Sequence, residues 1–360
     1  MSCRETAQKA TQRASERLRS YTREGELFER LANNEVRCHA CAHRCRIAPG
    51  KRGVCFMREN REGALYVPTG YVAGLAVDPI EKKPLFHVLP GSEALSFGML
   101  GCNLRCDFCQ NWRTSQTLRD PLAVDALNPI SAQAVVGLAL ERATPVISST
   151  YNEPLITSEW AAEIMRLGKD KGIRGAYVSN GFATTEVLEY LRPVLDIYKI
   201  DLKTFQDANY RKLGGALQPV LDTIAQAHRL GFWVEVVTLV IPGFNDSDAE
   251  LRDIAQFVAG ISRDIPWHVT AFHPEYKHKT GERPASAADI ARAAESGAAA
   301  GIKFVYAGNL RGTLRELENT RCPRCQTTLV TREGYFVGEV KIARNGSCPH
   351  CAEPIPGIWA

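Results

Sequence analysis

Short apolar runs recur along the chain from residue 95 onward, and polar stretches with helical periodicity separate them. Unbroken apolar runs are typical of strands that are buried on both faces, and repeated strand–helix units favour a parallel sheet. The pattern therefore predicts seven strands, at residues 95–100, 145–150, 175–179, 194–202, 233–241, 268–272 and 303–307.

Helix-start signals stand between these runs. Ser131 precedes one helical pattern, Ser247 with Glu250 forms a capping box before a second, and Ser286 with Asp289 precedes a third. Six or seven strand–helix units predict an α/β fold of the partial (β/α)6-type TIM barrel. A doubly wound sheet is the alternative that periodicity alone leaves open.

The two ends of the chain differ from this pattern. Residues 1–36 are predicted to be helical, because Leu18, Tyr21, Leu27 and Leu31 would share one helix face. A short linker helix is predicted at 314–319, before a β-like segment. The predicted division is an N-terminal helix with a four-cysteine module, a barrel, and a linker helix with a zinc-ribbon-like module, at residues 1–66, 67–310 and 311–360.

Composition adds few constraints. The 360 residues are 45% apolar and 23% charged, and the formal charge of +4 neither requires nor excludes a nucleic-acid partner. The N-terminus is polar and resembles no signal peptide, and no apolar run approaches the roughly 20 residues that span a bilayer. We therefore expect a cytoplasmic protein with no membrane partner.

The twelve cysteines carry the clearest chemical signal. In a reducing compartment, clustered cysteines bind metal more often than they form disulfides. Cys3 stands alone and is predicted to be free. The others form three groups: Cys38, Cys41, Cys45 and Cys55; Cys102, Cys106 and Cys109; Cys322, Cys325, Cys348 and Cys351.

The central group, Cys102, Cys106 and Cys109, directly follows the first predicted barrel strand. Three thiolates at this spacing can each bind one iron of a [4Fe–4S] cluster. A missing fourth cysteine leaves one iron open, as a catalytic metal site requires. A structural zinc site that borrows a fourth ligand from elsewhere is the alternative.

Polar or turn-forming residues also follow nearly every predicted strand. In (β/α) barrels the carboxyl ends of the strands form one rim, where active sites lie. The candidates on this rim are Asn152, Glu153, Asn180, Gly181, Asp201, Lys203, Pro242, Gly243, His273, Gly308 and Asn309.

The flanking cysteine groups predict two further metal sites. The C-terminal group has two C-x2-C turns and predicts a tetrahedral structural site for zinc or for a rubredoxin-like iron. The N-terminal group suits either zinc or an auxiliary iron–sulfur cluster. His43 lies inside that N-terminal loop, and we expect it to face solvent or to support a ligand.

The central motif, GCNLRCDFCQN, resembles the pattern of the radical S-adenosylmethionine (SAM) superfamily, with Phe108 in the aromatic position. The resemblance implies that Cys102, Cys106 and Cys109 hold a [4Fe–4S] cluster whose open iron chelates SAM. Reductive cleavage of SAM would then give methionine and a 5′-deoxyadenosyl radical that abstracts hydrogen from a substrate.

The resemblance also implies cofactor contacts. Asn152 and Glu153 occupy the place of a motif that binds the SAM amino group, and Asn180 that of a ribose contact. Lys203 and His273 match positions near the methionine moiety, and Phe108 and Asp201 are counted with these cofactor-binding residues. Val240 and Ile241 are candidates for adenine packing or plain core.

A closer resemblance covers nearly the whole chain. DPIEKKPLFH at 78–87, QNW at 110–112, TYNEP at 150–154 and IPGIW at 355–359 resemble the AmmeMemoRadiSam-system radical SAM proteins, which are related to pyruvate formate-lyase activating enzyme. The family implies one SAM-binding cluster and functional association with a Memo-like and an AMMECR-like protein. A flavodoxin or ferredoxin is expected as reductant.

The substrate stays open in the sequence: a metabolite, a peptide or RNA. Glycyl-radical-enzyme activation is an alternative, although the activases carry an aspartate where Val178 stands and an arginine near Val237 and Thr238. A non-catalytic iron–sulfur or zinc protein, which transfers electrons or acts as a scaffold, is a further alternative.

Overall fold

The computed structural model describes residues 14–123, 126–278 and 283–360. Cys3 lies outside these residues. The strands, numbered in chain order, are β1 (Thr22–Glu24), β2 (Phe28–Arg30), β3 (Val36–Cys38), β4 (Arg46–Ile47), β5 (Glu59–Arg61), β6 (Ala64–Pro68), β7 (Tyr71–Val72), β8 (Gly74–Pro79), β9 (Glu93–Gly98), β10 (Asn128–Pro129), β11 (Val146–Ser149), β12 (Arg174–Ser179), β13 (Ile197–Asp201), β14 (Trp233–Val240), β15 (Trp267–Ala271), β16 (Val305–Gly308), β17 (Thr320–Arg321), β18 (Thr328–Glu333) and β19 (Phe336–Val340).

The helices are numbered in the same way. They are α1 (residues 14–20), α2 (Trp112–Ser115), α3 (Ala132–Glu141), α4 (Ser158–Lys169), α5 (Thr185–Leu191), α6 (Asp207–Lys212), α7 (Leu217–Arg229), α8 (Asp248–Ile261) and α9 (Ala287–Ala299). Short 3-10 helices lie at Ala32–Asn34, Ile80–Lys82, Pro154–Thr157, Tyr276–His278 and Arg315–Leu317.

The central sheet of the described chain has eight strands in the order β16-β15-β14-β13-β12-β11-β9-β8. Seven of them, β9 and β11 to β16, run parallel, and β8 pairs antiparallel with β9. These seven are the predicted strands, so the α/β prediction is confirmed. Between the described strands, no pairing joins β16 to β8, so the sheet does not close into a full barrel.

The two faces of the sheet differ. Alternate strand residues point to opposite faces. On β13, Tyr198 and Ile200 belong to the main hydrophobic core with residues of the surrounding helices, whereas Lys199 and Asp201 line a central cavity. His268 on β15 lines the same cavity. One face therefore builds the core, and the other faces the cavity.

The predicted helix starts are confirmed. Ser131, Ser247 and Ser286 each accept a hydrogen bond from a backbone N–H of the first turn, before α3, α8 and α9. At Ser286 the reciprocal bond from its backbone to Asp289 completes a capping box. Such caps satisfy donors that would otherwise lack an intrahelical partner.

The helix predicted for residues 1–36 is wrong beyond residue 20, because β1, β2 and β3 follow α1. Gly25 explains the break. Its N–H bonds to the Leu65 carbonyl, and a Cβ there would stand 2.6 Å from Val67 Cγ1. Leu18 and Leu27 are buried as expected, but from a short helix and from the bend before β2.

The C-terminal segment forms the sheet β17-β18-β19 after a turn that is shorter than the predicted linker helix. Phe86, Phe304 and Tyr306 of the barrel share a hydrophobic cluster with Cys322 and Ile355 of this segment. The segment is thereby packed onto the barrel. In the part of the chain that the structure describes, no helix is long and apolar enough to cross a membrane.

Candidate cluster and cofactor site

The loop that carries Cys102, Cys106 and Cys109 leaves the end of β9 and leads into α2. Gly101 starts the loop with φ +91°, and a Cβ there would stand 2.4 Å from Met57 Cγ. A glycine suits both the left-handed backbone and the close approach. Cys106 is buried, and Cys102 and Cys109 are half-buried.

Polar groups contact two of these sulfurs. The Leu104 N–H lies 3.4 Å and Asn180 Nδ2 3.8 Å from Cys102 Sγ, and Ser115 Oγ lies 3.1 Å from Cys109 Sγ. The sulfurs of Cys102, Cys106 and Cys109 do not all lie within 4.8 Å of one another. The donors suit thiolates, and the separation suits ligands to different irons of a cluster better than ligands to one ion.

Glu153 is buried directly beside this loop. Its carboxylate accepts hydrogen bonds from Ser179 Oγ at 2.7 Å, from the Asn180 N–H at 2.8 Å and from the Leu155 N–H at 3.1 Å. Burial raises its pKa to about 7, although these bonds act in the opposite direction. A cation placed here would restore the carboxylate, because an opposite charge favours the ionised form.

The two predicted asparagines hold the same region together. Asn152 Oδ1 accepts the Met99 N–H at 3.0 Å, which fixes the end of β9. Asn180 Nδ2 donates to Asn103 Oδ1 at 2.7 Å. Asn180 therefore connects Glu153 with the cysteine loop.

The remaining predicted contacts lie in different places. Phe108 is buried, and its ring packs against Phe244 at a centroid distance of 5.7 Å. Val240 and Ile241 are buried in the main core. His273 is exposed after β15 and is not among the residues lining the central cavity.

The central cavity measures about 380 Å³ and runs from the cysteine loop to the C-terminal segment. Cys106, Cys109 and Phe108 line one side, and Asp201 and Lys203 stand at the strand ends. The cavity wall does not include Cys102, Asn152, Glu153 or Asn180. The structure therefore brings part of the predicted set to the cavity wall and leaves these four residues outside it.

Asp201 lies between two lysines. Its carboxylate contacts Lys199 Nζ and accepts from Lys203 Nζ at 3.0 Å. Burial raises the pKa of Asp201, but the charges of Lys199 and Lys203 outweigh it and lower the pKa to about 2. The pKa of Lys203 is raised despite burial, since Asp201 stabilises its ammonium. Burial lowers the pKa of Lys199, although the charge of Asp201 acts in the opposite direction.

A second polar group at the cavity was missed at the sequence level. The Tyr151 hydroxyl donates to Asp78 at 2.6 Å, and Asp78 also accepts from Lys82 at 2.7 Å and Lys83 at 2.5 Å. Burial raises the pKa of Asp78, but these three bonds lower it further than burial raises it. Tyr151 has φ +69°, which is uncommon for a residue with a side chain. The signal in the sequence was the stretch at 78–87, in which Asp78 stands close to Lys82 and Lys83.

The N-terminal module contacts the cysteine loop directly. His43 Nε2 lies 2.9 Å from the Asn103 carbonyl oxygen, so His43 supports the loop rather than facing solvent. Arg119 donates to the carbonyls of Leu104 and Val54, one on each side of this contact.

The C-terminal cysteines form the most compact group. All four sulfurs lie within 4.8 Å of one another, with 3.5 Å between Cys322 and Cys351 and 3.6 Å between Cys325 and Cys348. Hydrogen bonding to Thr327 lowers the pKa of Cys325, which favours the thiolate that binds metal.

Two of the quoted motifs meet at the opposite end of the barrel. His87, from the first motif, lies 2.6 Å by Nδ1 from the Pro356 carbonyl and 2.7 Å by Nε2 from the Tyr306 hydroxyl. The Ile358 N–H donates to the His87 carbonyl at 2.7 Å. The IPGIW segment thereby closes this end of the barrel.

The chain is similar to known proteins along most of its length. The radical SAM superfamily model matches residues 98–258, which include the cysteine loop and β11 to β14. An uncharacterized protein of Methanocaldococcus jannaschii is 38% identical over 336 residues, 92% of this chain and 98% of the relative. The GTP 3′,8-cyclase of Aquifex aeolicus is 30% identical over 43% of this chain and 49% of its own. The pyruvate formate-lyase-activating enzyme of Clostridium pasteurianum is 24% identical over 48% and 71%.

These relatives share the superfamily but differ in the reactions their names describe. Membership implies a [4Fe–4S] cluster and SAM-dependent radical catalysis. With its three-cysteine loop at the rim of a parallel α/β barrel, the chain belongs to the radical SAM superfamily.

Proposed function

We propose that the chain is a radical SAM enzyme that abstracts a hydrogen atom from a substrate held in the barrel cavity. One observation carries this proposal: Cys106 and Cys109 line the same cavity as Asp201 and Lys203. A cofactor held by the loop would thereby face a cavity with charged side chains in its wall. A purely structural metal site needs no such cavity.

The residues fit the cofactors. Cys102, Cys106 and Cys109 would hold three irons of a [4Fe–4S] cluster, and the open iron would bind SAM. When bound, these groups supply reductive cleavage of SAM to a 5′-deoxyadenosyl radical. Lys203, which lines the cavity, would donate to the SAM carboxylate. Glu153 stays a predicted contact of the SAM ammonium, Asn180 of the ribose and His273 of the methionine moiety, because none of the three lines the cavity.

The cavity favours a substrate of metabolite size. Glu318, Gly334 and Tyr335 of the C-terminal segment line it together with barrel residues. Its volume of about 380 Å³ is at the lower end for small-molecule sites. A peptide or RNA would have to present one reacting group to this space.

Activation of a glycyl radical enzyme is the second candidate. The likeness to a pyruvate formate-lyase-activating enzyme over 48% of the chain supports it. The C-terminal residues along the cavity argue against it, because a protein loop would need access there. A glycyl radical signal by electron paramagnetic resonance (EPR) in a partner enzyme would favour activation.

We also propose that the C-terminal cysteines hold a structural zinc ion. Zinc–sulfur bonds of about 2.3 Å in a tetrahedron place the sulfurs about 3.8 Å apart. The separations of 3.5 Å and 3.6 Å between cysteine pairs are close to this value. The compact group supports zinc or a single iron ion, not a cluster.

The partners and the division into domains remain proposals. A low-potential flavodoxin or ferredoxin would supply the electron. Association with Memo-like and AMMECR-like proteins rests on the sequence resemblance alone, and co-purification would test it. The cytoplasmic location and the boundaries near residues 66 and 310 likewise stay predictions.

The decisive experiment is SAM cleavage by the anaerobically purified chain. With its iron restored and dithionite as reductant, we expect 5′-deoxyadenosine and methionine in equal amounts. Cys106→Ala should yield neither product, since it removes an iron ligand. Wild-type protein with an intact cluster and no 5′-deoxyadenosine would refute the proposal and favour the electron-transfer or scaffold alternative.

A further inference from the structure

The N-terminal group, Cys38, Cys41, Cys45 and Cys55, converges in the fold although the chain between its members is irregular. The Cys38 N–H donates to the Cys45 carbonyl at 3.0 Å. A Cβ at Gly53 would stand 3.4 Å from Cys45 Sγ, two residues before Cys55. Cys38, Cys41 and Cys55 are buried, and none of the four forms a disulfide.

The spacing of these sulfurs differs from that of the C-terminal group. Among the described residues, all four C-terminal sulfurs lie within 4.8 Å of one another, and no three N-terminal sulfurs do. Four ligands of one zinc ion must share a small tetrahedron. Four ligands of a cluster bind four different irons and therefore stand further apart.

A buried arginine adds a second observation. Arg58 is 1% exposed, donates by Nη1 to Cys38 Sγ at 3.2 Å and forms an ion pair with Glu159. Its Nε is buried without a hydrogen-bond partner. Buried donors are rarely left unpaired in folded proteins. A sulfide-containing anionic group beside Cys38 would supply both an acceptor and negative charge.

We propose that this group holds a second [4Fe–4S] cluster and not a zinc ion. Four cysteines ligate all four irons, so no iron is open to SAM or substrate. The group can therefore accept and release one electron but cannot carry out the SAM chemistry. The electron would come from the flavodoxin or ferredoxin class of reductant and pass to the first cluster, with no bond formed or broken.

The position of the module suits this electron transfer. His43, between Cys41 and Cys45, contacts the Asn103 carbonyl next to Cys102. Met57 approaches Gly101 at the start of the cysteine loop. On the outer side, Val54 and Phe56 flank Cys55 and are 44% and 41% exposed. The module thus reaches from the protein surface to the loop of the first cluster.

Metal content tests the proposal without any assay of activity. Anaerobically purified full-length protein should contain about eight iron atoms and one zinc ion per chain. Wild-type protein with about four iron atoms and two zinc ions would overturn the proposal. The assignment rests on the proposed function only for the first cluster and for the fate of the electron.

Variants separate the two clusters. The triple variant Cys102→Ala, Cys106→Ala, Cys109→Ala should keep about four iron atoms and show the EPR signal of a reduced cluster after dithionite. A triple variant with no iron and a second zinc ion would refute the second cluster. If wild-type protein has eight irons but does not cleave SAM, the proposed function fails while the second cluster stands.

Two matched variants complete the design. Cys41→Ala with Cys45→Ala should lose about four iron atoms and keep zinc, whereas Cys325→Ala with Cys351→Ala should lose zinc and keep all iron. If the first of these does not fold, the triple variant and the wild-type content still decide the question. Loss of zinc, not iron, from the first variant would contradict the proposal.

Discussion

The two ends of the barrel each carry a buried or half-buried carboxylate, and the two differ in what surrounds them. Asp201, at the carboxyl end of β13, contacts two lysines that line the cavity. Glu235, near the start of β14, accepts from the N–H groups of Phe86 and His87, each at 3.0 Å, and contacts His268 at 2.6 Å.

The difference assigns the two ends separate roles. Burial lowers the pKa of His268, whereas the contact with His268 lowers the pKa of Glu235 in spite of burial. The acceptor capacity of Glu235 is thereby used within the protein, whereas the charges around Asp201 face a space for a ligand. This agrees with the rule that barrel enzymes use the carboxyl ends of the strands for chemistry and the opposite face for stability.

Removing a cluster ligand gives the largest expected contrast. Cys106→Ala should reduce SAM cleavage to background, because one iron loses its protein ligand. The barrel should still fold, since Cys106 lies in the loop after β9 and not in a strand of the sheet. Chromatography of 5′-deoxyadenosine measures SAM cleavage, and circular dichroism of the same sample measures folding. Cleavage at the wild-type rate would contradict a role for this loop.

Glu235 lies at the closed end of the barrel, where the IPGIW segment packs. Removing its carboxylate should lower stability and not SAM cleavage. Glu235→Ala leaves the buried donors of Phe86, His87 and Trp233 unpaired and should lower the free energy of unfolding by about 3–5 kcal/mol. Urea unfolding at pH 8 measures this. Glu24→Ala, which breaks the exposed pair with Arg30, is the control and should cost less than about 1 kcal/mol. Equal losses in the two variants would remove the distinction between the ends.

The closed end should also be sensitive to acid. Burial lowers the pKa of His87 to about 4, from an ordinary value of 6.5. Below pH 6.5 the unfolded chain binds a proton that the folded chain excludes, so stability falls as pH drops and levels off below about pH 4. Protonation of His87 alone should reduce the free energy of unfolding by about 3 kcal/mol between about pH 6.5 and pH 4. The pKa of His268 is also lowered by burial, so His268 acts in the same direction.

Thermal unfolding between about pH 8 and pH 5 tests this dependence. His87→Gln should be less stable at pH 8 but should lose less stability on acidification, because the titrating ring is gone. An unchanged slope in the variant would show that other groups, such as the cysteine ligands of the neighbouring module, cause the acid sensitivity.

The sequence predicted what repeats or clusters locally. Each barrel strand is mostly apolar because most of its side chains are buried. Each cysteine group is close in sequence because its members lie in short loops. The strands β1 to β3 were missed. For β1 the reason is its distant partner, because it pairs with β6, from Thr22 opposite Pro68 to Glu24 opposite Tyr66.

The polar networks could not be read for the same reason. Glu235 lies inside an apolar run, and its partners come from residues near 86 and 268. Tyr151 and Asp78 meet across 73 positions of sequence. The motif that contains His87 and the IPGIW motif could both be recognised in the sequence. Their contact with each other is seen only in the folded chain.

The smallest expected effect concerns SAM binding at the end of the barrel that carries Asp201. Lys203→Met removes one cation next to the cavity, while Asp201 keeps its contact with Lys199, so the fold should persist. A charge-assisted hydrogen bond contributes about 1.5–3 kcal/mol, which corresponds to roughly 10- to 100-fold weaker SAM binding. Equilibrium dialysis of SAM with the anaerobic, iron-loaded protein measures the dissociation constant. Lys212→Met, on an exposed helix position, is the control and should bind SAM as the wild type does. If the two variants bind SAM equally well, Lys203 serves only to hold Asp201. The charged groups at both ends of the barrel would then bind only other groups of the protein.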